Sequence, residues 1–393
     1  MSTGNKNIPL CVPEIRGNEW KYIKDCLDTN WVSSVGKYVN KFEQSLADYV
    51  GTKYAVACTN GTAALHIALM VAGIKSNEEV LVPALTFIAP ANAVRYIGAY
   101  PVFIDVDPVT WQLDPKKVEE FLSRECIRYQ GKLFNRHTKR VVKAVLPVDI
   151  LGHPVDMDPI LKLAKRFKLK VIEDATESLG ADYKGRKIGT LADVACFSFN
   201  GNKIITTGGG GMIVTNNKAW AQKARYLTTQ AKDDEVEYIH NEIGFNYRLS
   251  NLQAAMGLAQ MENLERYIKA KRRIARTYDQ GLKDVRGIAL QANAAWAKSI
   301  YWMYTILVHE REFGLDSRQL MAKLKKMGIQ SRPFWHPLHT LKPYRRCAAF
   351  KIEVANRLYR DGLSLPSSTG LQNQEQDRVI RAIREMSKQN HEK

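Results

Sequence analysis

Between about residues 50 and 215, the chain alternates short apolar, β-branched runs with segments of helical periodicity. Most of these runs are apolar without interruption, which is typical of strands covered on both faces. Such strands form a mostly parallel sheet with helices on either side, and ligands bind beyond the carboxyl ends of its strands. Strands are predicted over residues 54–58, 79–82, 101–105, 141–148, 170–173, 194–199 and 212–215.

The pattern changes after about residue 250. A long helical pattern covers 252–282, a strand-like run covers 301–308, a helix is predicted near 317–327, and an amphipathic stretch runs toward residue 386. A chain of 393 residues is long enough for two or three domains. We predict a large domain with an N-terminal arm, residues 1–255, and a smaller C-terminal α/β domain, residues 256–393.

Composition excludes several classes of protein. Hydrophobic residues make up 45% and charged residues 25%, which argues against a disordered or fibrous chain. The six cysteines lie far apart without a C-x-x-C pair, so we expect reduced thiols and a cytoplasmic protein. The longest uncharged apolar stretch, residues 80–94, is short and carries two prolines, so no membrane span is expected.

The net charge is +18, from 58 Lys and Arg against 40 Asp and Glu. Such an excess indicates an anionic partner, which could be nucleic acid, a membrane surface or a phosphorylated substrate. Local basic runs at residues 271–273 and 323–326 are interpreted as solvated helix faces. The sequence shows no helix-turn-helix arm, zinc finger or aromatic RNA-binding stripe, so nucleic acid is not the predicted partner.

The first candidate site lies at residues 58–65, where a strand ends, polar residues turn the chain and a helix begins at Gly61 and Thr62. The free backbone N–H groups of a helix start suit a phosphate, although an ordinary helix cap would have the same residues. The G-x-x-x-x-G-K-[ST] and G-x-G-x-x-G fingerprints do not occur. Nucleotide hydrolysis and hydride transfer therefore lose their usual sequence support.

A second candidate site follows the buried strand at 170–173. Glu173 and Asp174 stand at its carboxyl end, where a buried charge is costly unless a cation meets it. Asp174 therefore requires a positive partner, which could be a ligand or a neighbouring Lys or Arg.

A third site combines Lys203, just past a strand end, with four consecutive glycines at 208–211. Glycines allow close approach to a planar ligand, and a lysine so placed suits a Schiff base, although a surface lysine beside a flexible loop is the plainer reading. The three segments together bring a phosphate site, a carboxylate and a lysine to one edge of a sheet. That combination matches the demands of pyridoxal 5′-phosphate.

The chain resembles the sugar aminotransferases of the DegT/DnrJ/EryC1/StrS family, a branch of the fold-type I pyridoxal-phosphate enzymes. The resemblance implies an α/β fold with a mostly parallel central sheet and a smaller C-terminal domain. It runs over nearly the whole chain, through Ile8-Pro9, Phe42-Glu43, Asn60-Gly61-Thr62-Ala63-Ala64-Leu65, Pro83-Ala84-Leu85-Thr86-Phe87, Glu173-Asp174-Ala175, Phe197-Ser198-Phe199, Lys203, Gly244-Phe245-Asn246-Tyr247-Arg248 and Pro337-Leu338-His339.

Position by position, the resemblance implies that Lys203 forms the covalent link to the cofactor and that Asp174 pairs with the pyridinium nitrogen. Glu177 stands near the cofactor, where relatives often carry His or Gln. The other implied contacts are to the phosphate, from Gly61, Thr62 and Ser198, and to the ring, from Phe87.

The resemblance also implies a homodimer, because Asn246 matches a residue that reaches the phosphate from the neighbouring subunit. Trp31, Ser33 and His339 match parts that face the sugar. His336 and His339 have the spacing of a metal-binding pair, but no third ligand candidate stands nearby, so no metal is predicted.

The resemblance implies transfer of an amino group from L-glutamate to C4 of a UDP-linked 4-keto-6-deoxy-N-acetylhexosamine for surface-glycan biosynthesis. Pyridoxamine 5′-phosphate is the intermediate form of the cofactor. Relatives that dehydrate sugars carry His in place of Lys203. Asn202 before the lysine and the four glycines at 208–211 resemble enzymes that aminate C4 of a UDP-linked 4-keto-6-deoxy-N-acetylhexosamine. The alternatives are a GDP-perosamine synthase type of enzyme, a 3-keto sugar aminotransferase, and a non-catalytic regulatory protein of the same fold.

Overall fold

The computed structural model describes residues 7–234 and 236–389. Its strands are β1 (Tyr54–Cys58), β2 (Glu79–Pro83), β3 (Tyr100–Ile104), β4 (Cys126–Tyr129), β5 (Lys132–Asn135), β6 (Val142–Val145), β7 (Lys170–Asp174), β8 (Asp182–Tyr183), β9 (Arg186–Lys187), β10 (Val194–Ser198), β11 (Gly211–Thr215), β12 (Ile288–Ala289), β13 (Ala297–Lys298), β14 (Tyr304–Val308), β15 (Arg332–Pro333), β16 (Ala349–Phe350) and β17 (Gly362–Leu365).

The helices lie between these strands and at both ends of the described chain. They are α1 (Glu19–Asp28), α2 (Lys37–Val50), α3 (Gly61–Val71), α4 (Ala89–Tyr96), α5 (Pro115–Glu120), α6 (Met157–Phe167), α7 (Lys218–Thr228), α8 (Asn251–Met261), α9 (Leu264–Leu282), α10 (Glu310–Phe313), α11 (Ser317–Lys326), α12 (Val354–Asp361) and α13 (Asn373–Gln389). None of the helices described is both long and apolar enough to cross a lipid bilayer.

The central sheet has eight strands in the order β1-β11-β10-β7-β6-β2-β3-β16. The pairs from β10 to β16 are parallel, whereas β11 runs antiparallel to both of its neighbours. Because β11 is reversed, β1 points the same way as the parallel strands. The carboxyl ends of β1, β10, β7, β6 and β2 therefore lie at one edge, together with the amino end of β11. The predicted mostly parallel α/β architecture is confirmed.

Most predicted strands match within one residue, but the run at 141–148 forms a strand only over Val142–Val145. Pro147 has no N–H group to donate, so the ladder is interrupted there, and pairing resumes at Val148 as a single bridge to Asp174. The run at 301–308 likewise begins late, at Tyr304, because Tyr301 adopts a left-handed conformation with φ of 50°.

The long helical pattern at 252–282 is two helices rather than one. The helix α8 opens with a capping box in which Ser250 and Gln253 bond each other's backbone, and it ends before Glu262 and Asn263. The Asn263 side chain donates to the Ala259 carbonyl instead of continuing the helix, a competition typical of asparagine. The chain then starts α9, the 19-residue helix that leads into the smaller sheet.

The basic run at 271–273 is not a solvated face throughout, which corrects the sequence interpretation. Lys271 is 2% exposed. Its ammonium group donates to the backbone carbonyls of Trp302 and Ser367, so residues far along the chain cover it. Arg272 and Arg273 are half-buried and also donate to backbone carbonyls.

The smaller sheet has the antiparallel order β12-β14-β17-β15 and its own apolar core, to which α9, α11 and α13 contribute. Part of the C-terminal region returns to the central sheet: β16 pairs with β3, and Phe334, Tyr344 and Leu358 pack in the larger core. The division at residues 255 and 256 stays a prediction about independently folding units.

Candidate active site

A cavity of about 270 Å³ opens at the edge of the central sheet where the strand ends converge. It is bounded by the start of α3, the ends of β7 and β10, and the loop that follows β10. The cavity is lined by seven residues that were predicted to bind the cofactor: Gly61, Thr62, Phe87, Asp174, Glu177, Ser198 and Lys203.

The start of α3 forms one wall of this cavity. The Asn60 side chain caps the helix by accepting a hydrogen bond from the Ala63 amide at 2.8 Å. The amides of Gly61 and Thr62 precede that bond, at the end of the helix where N–H groups point outward and the helix dipole favours an anion. A Cβ at Gly61 would lie 2.8 Å from the Ser198 Cβ, so only glycine allows this approach. The predicted phosphate residues are therefore next to one another.

The four glycines at 208–211 have different roles. Gly208 has a φ of 79° and turns the chain, whereas Gly209 and Gly210 line the cavity. Gly211 lies between Cys58 and Ser198 in the sheet register, and a Cβ on it would meet the Asn60 carbonyl at 2.5 Å. Gly211 therefore lets the start of α3 sit against the sheet rather than bringing backbone to a ligand.

Asp174 ends β7 with its carboxylate buried, 2% exposed. One oxygen accepts a hydrogen bond from the Thr176 amide at 3.0 Å. Burial raises the pKa of this carboxyl, and the Thr176 hydrogen bonds and the charge of Lys203 offset part of that rise. The described part of the chain places no Lys or Arg in an ion pair with Asp174. The carboxylate is therefore available to a cationic group in the cavity.

Lys203 lies in the cavity with only 12% of its side chain exposed, and it is not a surface lysine. Its ammonium nitrogen lies 3.4 Å from Oε1 of Glu177 and 4.2 Å from the centre of the Trp302 ring. Burial raises the pKa of the Glu177 carboxyl, which the charge of Lys203 partly offsets. The other Glu177 oxygen accepts a hydrogen bond from the Leu151 amide at 2.8 Å.

Two further carboxyl groups, those of Asp149 and Glu173, are buried at the same edge of the sheet. Asp149 accepts hydrogen bonds from the Val155 amide and the Ser178 hydroxyl, both at 2.8 Å. Burial raises the pKa of Asp149 to about 7 and holds that of Glu173 well above its usual range. The edge of the sheet is therefore rich in carboxyl groups, and Lys203 supplies a positive charge within it.

Four predicted residues lie outside the lining that the described residues form. Trp31, Ser33 and Asn246 are exposed, and His339 is half-buried in the short turn at 338–340. The backbone carbonyls of Trp31 and Ser33 accept hydrogen bonds from Asn251 at the start of α8, which fixes their loop. Their assignments to sugar and phosphate stay predictions, because none of the four is among the described residues that line the cavity with Lys203.

Several residues that line the cavity were not predicted from the sequence. Trp302 and Trp335 come from the C-terminal part of the chain, where the pattern indicated only strand and loop. Thr86 and Asn60 were within the segments quoted for the family resemblance but had no role assigned. Neither tryptophan carries a local signal, because its position at the cavity follows from how the two parts of the chain pack.

These residues fit pyridoxal 5′-phosphate. A helix start bracketed by the Ser198 hydroxyl suits the phosphate, the buried Asp174 carboxylate suits a protonated ring nitrogen, and the Lys203 amine is within the same cavity. Among the described residues, no cluster of three or more His, Cys, Asp or Glu side chains could hold a metal ion.

Comparisons with known proteins agree with this site. The model of the DegT/DnrJ/EryC1/StrS aminotransferase family matches residues 13–384. The GDP-perosamine synthase of Caulobacter vibrioides is 43% identical over 379 residues, covering 96% of this chain and 97% of that protein. The GDP-perosamine synthase of Escherichia coli O157:H7 is 38% identical over 380 residues, covering 97% and 98%.

Solved structures show the same relation. A DegT DnrJ EryC1 StrS aminotransferase from Brucella abortus superposes with a TM-score of 0.86 at 31% identity, covering 94% of this chain and 95% of that one. The resemblance found in the sequence is thereby confirmed, as is the dependence on pyridoxal phosphate that the family shares. The chain belongs to the DegT/DnrJ/EryC1/StrS aminotransferase family and is a pyridoxal-phosphate-dependent sugar aminotransferase.

Proposed function

We propose that this enzyme transfers the amino group of L-glutamate to C4 of a nucleotide-linked 4-keto-6-deoxyhexose, with GDP-4-keto-6-deoxymannose as the first candidate substrate. The observation that carries the reaction class is the meeting of Lys203, Asp174 and the start of α3 in one cavity. The choice of sugar is supported by the identity to GDP-perosamine synthases over nearly the whole chain.

The residues of the cavity divide the work. Asp174 would pair with the protonated ring nitrogen, and the amides of Gly61 and Thr62 with the Ser198 hydroxyl would hold the phosphate. Phe87, which is 56% exposed at the mouth, would cover the ring. Pyridoxal phosphate, when bound, supplies an electron sink for the charge that develops at the α-carbon of the donor.

Lys203 would carry the covalent link to the cofactor and, once its amine is free, would move the proton from the α-carbon of L-glutamate. General-base catalysis of this kind requires an amine held within reach and oriented. Glu177 is placed to orient the Lys203 amine. One of its carboxylate oxygens lies beside that amine, and the other accepts a hydrogen bond from the Leu151 amide.

The first experiment is the visible absorption spectrum of the purified chain before and after L-glutamate. Conversion of the violet-region band to the shorter-wavelength band of the pyridoxamine form would support both cofactor and donor, and Lys203→Ala is the matched control without the link. If the band does not respond to L-glutamate, the proposed donor is wrong.

The sugar is tested by steady-state turnover with two ketosugars under the same conditions. We expect kcat/KM for the GDP-linked 4-keto-6-deoxymannose to exceed that for the UDP-linked 4-keto-6-deoxy-N-acetylhexosamine by at least about tenfold, which corresponds to about 1.4 kcal/mol of discrimination. The carbon that carries the new nitrogen, read by NMR of the product, separates C4 from C3 amination.

The UDP-linked sugar is the second candidate, favoured by Asn202 before the lysine and the four glycines at 208–211. A preference for that substrate in the same assay would replace the GDP-linked assignment and leave the reaction class intact. Absence of turnover with both would contradict C4 amination of 4-keto-6-deoxyhexoses.

We further propose that the enzyme acts as a homodimer with shared sites. The segment that precedes Asn246 exposes large apolar side chains, with Val236 82%, Tyr238 70% and Ile243 84% exposed. Exposed apolar side chains clustered in this way mark a protein interface, and Asn246 follows them on the surface of the same chain.

Mixed dimers test this sharing. Subunits carrying Lys203→Ala and Asn246→Ala are each expected to be impaired as homodimers. In a mixed dimer with shared sites, one site contains both substitutions and the other contains neither, so activity returns. If mixing restores nothing although mixed dimers form, the sites are not shared.

A further inference from the structure

The indole ring of Trp302 faces the amine of Lys203, on a side of the cavity that the proposed reaction leaves without a role. The Lys203 nitrogen lies 4.2 Å from the centre of the ring, within the range of a cation–π interaction. Trp302 itself is 5% exposed. A buried aromatic face in this position attracts the charged form of the lysine amine and does not attract the neutral form.

Trp302 is held by hydrogen bonds at both ends. Its indole N–H donates to the carbonyl of Asn202, the residue before Lys203, at 2.7 Å. Its own carbonyl accepts a hydrogen bond from the ammonium of the buried Lys271 at 2.7 Å. The ring is therefore fixed to the backbone of the lysine loop on one side and to α9 on the other.

The Glu177 carboxylate, which pairs with Lys203, belongs to the same assembly. The loop at 150–152 donates the Leu151 amide to Glu177, and the Gly152 carbonyl accepts a hydrogen bond from the Ile300 amide at 3.0 Å. A Cβ on Gly152 would come within 2.8 Å of the Trp302 amide. Glu177 and Trp302 are thus packed against the same loop.

We propose that Trp302 is a positioning residue that holds the free amine of Lys203, in its charged form, between the indole ring and the Glu177 carboxylate. The proposal rests on the proposed role of Lys203. It gives the amine a defined resting place once it has taken up the proton from the α-carbon. From there the ammonium gives that proton up again, and the neutral amine that remains re-forms the covalent link.

The charged groups nearest to this amine are carboxyls, and one ammonium group lies farther away. Glu177 faces it directly, Asp174 acts on it from the end of β7, and the Lys271 ammonium lies beyond the Trp302 carbonyl. Both carboxyls are buried, and burial raises the pKa of each. The ring favours the ammonium without adding another group that titrates.

The experiment measures how fast Lys203 is acetylated by a neutral active ester, because only the uncharged amine reacts. The full chain is loaded with pyridoxamine 5′-phosphate, which leaves the lysine amine free, and the Lys203 peptide is quantified by mass spectrometry between about pH 7 and about pH 10. The variants are Trp302→Leu, which removes the ring, and Trp302→Phe, which keeps a ring but loses the indole N–H. Trp220→Leu is the matched control, since Trp220 lies on α7 beside Lys170 instead.

At the low end of this pH range we expect Trp302→Leu to be acetylated about fivefold faster than the parent, and the two rates to converge at the high end. Trp302→Phe should stay within about twofold of the parent throughout, and Trp220→Leu should match it. A ratio that is constant with pH would mean that only access to the lysine had changed. That result would overturn the proposal, as would equal rates for Trp302→Leu and the parent, or for Trp302→Phe and Trp302→Leu.

A second measurement keeps the indole ring of Trp302 in place and changes only its electron density. Incorporating 5-fluorotryptophan weakens the electron density of the ring and keeps the indole N–H, so acetylation of Lys203 should accelerate in the parent but not in Trp302→Phe. Acceleration in neither would overturn the proposal even if Trp302→Leu did not fold. Failure of the proposed function would show separately, as transamination that survives Lys203→Ala.

Discussion

The two sheets of the molecule differ in the polar groups that they bury. At the edge of the central sheet, the carboxyl groups of Asp149, Glu173, Asp174 and Glu177 are each at most 5% exposed, and Lys203 forms an ion pair with one of them. In the smaller sheet, the buried polar groups on neighbouring strands are neutral and satisfy each other, as Thr305 of β14 and Ser364 of β17 do at 2.8 Å.

The difference separates groups that stabilise the fold from groups kept for chemistry. A neutral pair contributes about 1 kcal/mol to folding and requires nothing from a ligand. Buried carboxyls without matching cations weaken the fold, because each must be desolvated or protonated. The buried carboxyls at the edge of the central sheet therefore lower the stability of the fold, and a cationic ligand would restore it. The Thr305–Ser364 pair of the smaller sheet needs no ligand.

The largest expected effect is from Lys203→Ala. Because the variant loses both the covalent link and the base, its turnover should fall by a factor of about a hundred to about ten thousand. Borohydride, which fixes the cofactor onto a lysine, should leave the variant chain unlabelled by mass spectrometry. A variant chain labelled at another lysine would show that Lys203 does not carry the cofactor.

Asp174→Asn should cause the next largest loss of activity. Removing one member of a buried ion pair costs about 3 to 5 kcal/mol, whereas Ser198→Ala removes a hydrogen bond worth about 1 kcal/mol. In kcat/KM for L-glutamate, we therefore expect a loss of at least about a hundredfold for Asp174→Asn and about fivefold for Ser198→Ala. The opposite order would reject the pairing of Asp174 with the ring nitrogen.

Asp149→Asn should change how stability depends on pH in the cofactor-free chain. Burial raises the pKa of Asp149 to about 7, above its unfolded value of about 3.9, so the folded state binds more protons between these values. The parent therefore loses stability from this group as pH rises from about 4 to about 7, by up to about 2 kcal/mol between pH 5 and pH 7.

Asparagine does not titrate and can still accept the hydrogen bond of the Val155 amide. The unfolding free energy of the variant relative to the parent should therefore rise over this window, as measured by denaturant unfolding at several pH values. A difference that is independent of pH would show that Asp149 is not protonated in the folded chain.

The smallest effect is expected in the smaller sheet. Thr305→Val leaves the buried Ser364 hydroxyl without its partner and should cost about 1 to 3 kcal/mol, whereas Thr305→Val with Ser364→Ala together should be nearly neutral. Turnover should stay at the parent level in both, because the pair lies apart from the cavity. Loss of turnover in the folded double variant would break the distinction between the two sheets.

The sequence alone determined the sheet, the order of its strands along the chain and the identity of the family. Short continuous apolar runs bounded by turn residues favour buried strands. The residues at 60–62 and 173–174 are recognisable locally, because neighbours in the chain form a helix cap and a strand end. For that reason local signals place the start of α3, Asp174 and Lys203 at one edge of the sheet. The role of Ser198 is instead implied by the family resemblance.

Only the tertiary structure decided what surrounds Lys203. Trp302 bonds the carbonyl of Asn202 from 100 residues away, and no periodicity of the chain encodes that contact. The same holds for Lys271, which reads as a solvated residue of a basic helix but is buried by carbonyls from two distant segments. Hydrophobic periodicity specifies which face of an element is apolar, whereas the partners that satisfy a buried charge depend on how separate elements pack.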